Sequence, residues 1–181
     1  MFTSGGEILV VGGTGMLRPA VHQLCAHGAR VLVIARHPQR ATPMDDLSGE
    51  FVPVAADWAQ PEKLASATHG AMTGEKAQAA VLWIHSKFQE SVTSALAGII
   101  APDAPVVRLW GSAGRDPRET LPPGGALAGH DVRNVVLGYQ KSGSTSRWLS
   151  DAEISDGAIR ALTNPEALQQ VGHVDPWSQR P

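Results

Sequence analysis

Three glycines at the end of an apolar run are the first residues in this chain that could do chemistry. Residues 7–17 read Glu-Ile-Leu-Val-Val-Gly-Gly-Thr-Gly-Met-Leu, so Gly12, Gly13 and Gly15 cluster around Thr14. A strand that breaks into glycines and resumes as a helix is the arrangement that grips a dinucleotide pyrophosphate. The first glycine permits the tight turn, and a later one lets main chain approach the phosphates with no Cβ in the way. The helix that follows offers unpaired N–H groups and the positive end of its dipole. Gly12 and Gly15 are three apart, and a third glycine at the same interval would fall on Arg18. The motif is therefore short, and its strength comes from context. The expected cofactor contacts here are Gly12, Gly13, Thr14, Gly15, Met16 and Leu17. The opposing reading is an ordinary tight turn that binds nothing.

The next chemically suggestive residues sit where a second strand, Arg30–Arg36, should end. An acid at that point binds a ribose 2′-hydroxyl and selects NAD, whereas arginine accommodates a 2′-phosphate and selects NADP. Here Arg36 is followed by His37 and Arg40, with no acid before Asp45. A guanidinium matches phosphate geometry in a bidentate way, so NADP is expected over NAD, through Arg36 and Arg40. After a third strand, Phe51–Ala55, come Asp57 and Trp58. Asp57 is placed to accept from an adenine amino group and Trp58 to flank the ring; alternatively, Asp57 simply caps the helix that begins near Gln60 and Pro61. His85 and Ser86 follow a fourth strand, Ala80–Ile84, and Gly111 and Ser112 follow a fifth, Pro105–Trp110. His85, Ser86, Gly111 and Ser112 complete the expected cofactor set. Ligands of open α/β sheets bind at the carboxyl ends of the strands, so Gly12, Arg36, Asp57, His85 and Ser112 should line one edge.

The elements that must position these residues alternate. Helices are expected from Met16 to about Ala26, from Pro61 to about Thr68 and from Lys87 to Ile99, with a loop or short helix at 41–50. Pro19 is tolerable in a first turn, and Gly28 is a natural C-terminal cap. Arg115–Arg133 carries Pro117, Pro122, Pro123 and several glycines. It is read as a flexible loop, either a flap near the substrate end or a plain surface excursion. A sixth strand is expected over Asn134–Tyr139 and a short one over Ser146–Leu149. Ser150-Asp151-Ala152-Glu153 is a capping box, opening a helix with Ile154, Ala158, Ile159 and Leu162 on one face and ending at Asn164-Pro165. Glu166–Gln170 is read as a further turn of helix. The tail, about 171–181, should dock on the domain or on a partner subunit.

The chain has 181 residues, 43% hydrophobic and 18% charged, with a net charge of −2. That composition suits one globular domain with a real core. Without a long basic run, nucleic acid is not an expected partner. No apolar stretch reaches membrane-span length, and the opening residues do not read as a signal peptide. A cytoplasmic location is expected, with a small-molecule substrate as partner; homo-oligomerisation is left open. The single cysteine, Cys25, excludes an internal disulfide and reads as a small core residue. Seven histidines show no helical ligand spacing and no cysteine partner, so no metal is expected.

The stretches VVGGTGML, VLVIAR, Ala56-Asp57 and Trp110-Gly111-Ser112-Ala113 together resemble the short-chain dehydrogenase/reductase superfamily over roughly the first 115 residues. The chain is also similar, over most of its length, to a group of short bacterial short-chain dehydrogenase-like proteins. The matching stretches there are Leu82–Ser86, Gly111–Ala113 with Asp116-Pro117, Val136–Tyr139, Ser146–Leu149 with the capping-box helix, and Pro176-Trp177. The resemblance implies a Rossmann-like, doubly wound, mostly parallel sheet of about six to seven strands with helices on both faces. It also implies one NAD(P)-binding domain over residues 1–181. It implies no substrate. The superfamily's catalytic pair, a tyrosine four residues before a lysine, is missing. The one tyrosine is Tyr139, Gly143 stands four residues on, and Lys141 is only two away. Ser112 matches the position of the superfamily's catalytic serine.

The catalytic candidates are therefore His85, Ser112, Tyr139 and Arg147. An imidazole can donate a proton, a serine can orient a carbonyl, and Arg147 could hold an anionic substrate. For each, a turn, a cap or an ion pair is the competing role. Three functions follow. The first is an NADP-dependent reductase of a small carbonyl or imine with a non-standard proton donor. The second is an NADP-binding sensor or scaffold without catalysis. The third is a non-redox cyclase or isomerase on the same fold.

Overall fold

The computed structural model describes residues 5–44, 47–111, 116–119, 121, 125–143 and 145–181. Its centre is β1 (Glu7–Val11), all five residues of which are buried. A strand with parallel neighbours on both edges and helices on both faces can expose nothing, which is why it reads as an unbroken apolar run. Those neighbours are β2 (Arg30–Ala35) and β4 (Ala79–Leu82). With β3 (Glu50–Ala55), β5 (Pro105–Trp110), β6 (Asp131–Leu137) and β9 (Leu168–Val171) they form a seven-stranded sheet in the order β3-β2-β1-β4-β5-β6-β9. Every pairing is parallel. The order reverses between β1 and β4, the switch point at which such sheets bind ligands. This is the expected doubly wound architecture.

The helices fall on two faces. α1 (Arg18–Ala26) and α4 (Asp151–Thr163) pack together over one face, burying Val21, Leu24, Ile154 and Ala158 with Val10, Val33 and Val107. α2 (Pro61–Ala71) and α3 (Gln89–Ala97) cover the other, burying Leu64, Val92 and Leu96 with Leu9, Leu32 and Val106. The capping box forms as the sequence suggests. The Ser150 hydroxyl accepts from the Glu153 N–H at 3.3 Å, and the Glu153 carboxylate accepts from the Ser150 N–H at 2.8 Å. The α4 side chain Ser155 then donates to the Met16 carbonyl at 2.8 Å, tying α4 to the glycine turn. Cys25 is buried with its thiol pushed up to about 11 by desolvation. At the opposite, amino-terminal end of the sheet, buried Glu7 accepts from Arg30 and from the Thr73 and Gly74 N–H groups. Burial pushes its carboxyl up, but those donors outweigh it and hold the group below the ordinary carboxylate range.

Three expectations are corrected. The sixth strand starts at Asp131, inside the segment read as a loop, and ends at Leu137 rather than Tyr139. Arg133 looked like a loop residue. In the fold its guanidinium is buried, donating to the Ala161 carbonyl at 2.7 Å and to Asp131. The strand ends before Gly138, where only glycine fits, since a Cβ there would stand 2.0 Å from the His173 carbonyl oxygen. Tyr139 instead opens β7 (Tyr139–Ser142), which pairs antiparallel with β8 (Thr145–Trp148). Lastly, the turn of helix expected at 166–170 is the edge strand β9, pairing with β6 from Leu168 to Val171. Helix-friendly Leu and Gln yield there to a sheet edge that needed a partner. The tail docks on the domain itself: Val174 is buried, and Arg118 bridges Asp116 and Asp175. Within the proposed loop, 115, 120 and 122–124 lie outside the described residues, as do 112–114 before it.

Candidate functional site

The site begins where β1 ends. Gly12 takes φ +81°, and a Cβ there would stand 2.5 Å from the Trp83 carbonyl oxygen, so no larger residue fits without displacing backbone. Its N–H extends the ladder to the Ile34 carbonyl at 3.1 Å. Gly13 serves packing: a Cβ on it would meet Val10, Val33 and Val21 at 3.0–3.2 Å, so it lets α1 approach the sheet closely. Leu17 is fully buried in the same core. Thr14, Gly15 and Met16 differ, since all three line an open cleft. None of their N–H groups donates to a backbone acceptor among the described residues. Main-chain donors without a backbone acceptor, in the turn just before α1 and on residues that line the cleft, are what an anion needs.

The cleft encloses about 740 Å³ along the carboxyl ends of β1, β2, β3 and β4. Arg36 and His37 enter it from the end of β2, and Arg40 from the following 3-10 turn, Pro38–Ala41. No carboxylate pairs with Arg36 or Arg40 among the described residues. Asp57 and Trp58 enter from the end of β3. The Asp57 carboxylate accepts from the Ala59 N–H at 3.0 Å. The N-cap of α2 is Gln60, so Asp57 shapes the turn before the helix instead of capping it. His85 lies across the cleft, with its ring centroid 5.4 Å from that of Trp58, and Phe88 stands edge-on to Trp58 at 6.2 Å. Gly12, Arg36, Asp57 and His85, four of the five residues expected along one edge, thus line one cavity. Ser112, the fifth, lies outside the described residues. Ser86 opens the short 3-10 helix Ser86–Phe88 next to His85; neither makes a side-chain cap. Gly111 sits beneath Trp83, where its own Cβ would be 3.0 Å from the indole.

The other catalytic candidates lie elsewhere. Tyr139 is 1% exposed, and its hydroxyl donates to the Pro176 carbonyl at 2.9 Å. Its backbone exchanges two hydrogen bonds with His173. It pins the tail and does not line the cleft. Arg147 is on the surface, in a bidentate pair with Glu153 at 2.8 and 3.0 Å. That guanidinium, with the Ser150 N–H, lowers the Glu153 carboxyl to about 2. Sequence reasoning read Trp83 as core or pocket wall, and it is both; it missed Lys87 and Phe88 as cleft residues. Lys87 carries its ammonium 4.6 Å from the Phe88 ring centroid. Their position directly after β4, beside His85, was the available signal.

No protein-family model matches the sequence, and no curated protein is similar to it. Solved structures do match. A short-chain type dehydrogenase/reductase from Mycobacterium ulcerans aligns with TM-score 0.71 at 12% identity, over 99% of this chain and 92% of its own. A citronellol catabolism dehydrogenase from Pseudomonas aeruginosa aligns with TM-score 0.69 at 18% identity, over 97% and 96%. A reductase/Diels-Alderase from Malbranchea aurantiaca aligns with TM-score 0.67 at 11% identity, over 93% and 94%.

Proposed function

The chain has the fold of the short-chain dehydrogenase/reductases, and from that premise we propose that it binds NADP in the cleft and is a reductase of a small carbonyl or imine. The observation that carries the reading is the grouping of Arg36, His37 and Arg40, without a carboxylate partner among the described residues, on the same cavity as the Gly12–Met16 turn. The free N–H groups of Thr14, Gly15 and Met16 would hold the pyrophosphate, and the two guanidiniums the 2′-phosphate. Trp58 would flank the adenine. When bound, the nicotinamide supplies a hydride. With Tyr139 committed to Pro176 and Arg147 to Glu153, the proton donors left are His85 and Ser112. An imine suits such a site because its protonated form needs less help than a ketone.

The test is a titration of NADPH and NADH against the wild type and Arg36→Ala, followed by tryptophan fluorescence. A charge-assisted hydrogen bond contributes about 1.5–3 kcal/mol, so the variant should weaken NADPH about 10- to 100-fold and NADH little. Equal losses for both would remove the 2′-phosphate assignment. NADPH consumption is then measured with carbonyl and imine substrates.

A second reading, an NADP-binding sensor without chemistry, is favoured by the burial of Tyr139, which leaves no tyrosine facing the cleft. Tight NADPH binding with no consumption across the panel would select it.

A further inference from the structure

The side chain that closes the cleft on its β5 side is Trp83. It follows β4 at the switch point, and its N–H donates to the Val11 carbonyl at 3.0 Å, so its backbone is locked into the ladder beside β1. From there the indole crosses the sheet edge. Its Cδ1 lies 3.1 Å from where a Gly12 Cβ would stand, and its Cη2 lies 3.0 Å from where a Gly111 Cβ would stand. The long axis of the ring therefore spans from the end of β1 to the end of β5, over the end of β4. The space for it comes from glycine at both ends. The ring is half-buried and packs on the α1/α4 side of the core.

A doubly wound sheet seats one nucleotide of a dinucleotide on each side of its switch point. The cleft is lined from the β2 and β3 side by Arg36, Asp57 and Trp58 and from the β4 end by His85, Lys87 and Phe88; no described residue of β5 or of the chain after it lines the cleft. We propose that Trp83 divides the site, leaving the adenosine half open and standing where the nicotinamide nucleotide would lie. The resting protein then takes an adenosine nucleotide with a 2′-phosphate as readily as whole NADPH, and hydride transfer requires the indole to swing out. This rests on the NADP reading and adds that binding energy comes from one half of the cofactor alone.

The experiment compares NADPH with adenosine 2′,5′-bisphosphate by calorimetry and by saturation-transfer NMR, on the wild type, Trp83→Ala and Trp83→Leu. For the wild type, the two dissociation constants should agree within about threefold. Saturation should reach the adenine protons and miss the nicotinamide protons. In Trp83→Ala, NADPH should tighten about tenfold while the bisphosphate changes less than about twofold, and nicotinamide signals should appear. Trp83→Leu keeps apolar bulk against the core but shortens the bridge to Gly111, and should show the same trend if the alanine variant does not fold. The wild-type comparison stands without either variant. NADPH binding more than about 30-fold tighter than the bisphosphate, equal saturation of both rings, or no selective gain in a folded variant overturns the division. If neither ligand binds, the NADP reading fails and takes this inference with it.

Discussion

Replacing Gly12 with alanine should unfold the protein more readily by an amount its surroundings dictate. Two costs combine. An L-residue at φ +81° sits in the left-handed region, at about 1–2 kcal/mol. The new methyl would also stand 2.5 Å from the Trp83 carbonyl oxygen, which is backbone, and 3.1 Å from the indole Cδ1. The carbonyl cannot retreat freely, because the Trp83 N–H is held by Val11; overpacking of this kind costs about 1–3 kcal/mol. Reduced entropy of the unfolded chain returns about 0.4–1 kcal/mol. The net expectation is a loss of about 1–5 kcal/mol, read by urea unfolding with far-UV circular dichroism. Gly15→Ala is the control: nothing lies within 4 Å of its added Cβ and its φ is not positive, so stability should stay within about 0.5 kcal/mol. A Gly12→Ala variant as stable as the wild type would mean that the turn is not built as described.

Tyr139→Phe removes one of two donors to the Pro176 carbonyl, the other being the Gln179 N–H, and should cost about 0.5–1.5 kcal/mol in urea unfolding while leaving NADPH affinity unchanged; a tenfold affinity loss would return Tyr139 to the site. Glu153 is held at about 2 when folded, chiefly by Arg147. A depressed carboxyl pKa adds stability above its unfolded value near 4.5 and loses it as pH falls toward 2. The gap between wild type and Glu153→Gln should therefore be present at neutral pH and close in acid; a gap that grows in acid has the wrong sign. Arg108 is 5% exposed, its Nε has no partner, and burial pulls its guanidinium below the usual arginine range. A buried charge without a carboxylate is weak support for a fold, so Arg108→Met should be neutral or stabilising in thermal unfolding. A loss above about 2 kcal/mol would assign real weight to its contacts with Gln89 and the Trp110 ring.

What could be read from the chain alone was local and periodic. The run Ile8–Val11 had to be a doubly buried strand, the glycines had to turn it, and Ser150–Glu153 had to open a helix. Because a parallel sheet brings all its strand ends to one edge, reading the residue after each strand was enough to group Gly12, Arg36, Asp57 and His85. Tertiary structure alone decided the rest. Residues 168–171 became a strand because β6 had a free edge, and Tyr139 became a structural pin because Gly138 turned the chain toward Pro176. The path of the Trp83 indole depended on glycines 71 positions before it and 28 after it in the sequence. Spacing along a chain says which face a side chain leaves from; only packing against distant neighbours says where it comes to rest.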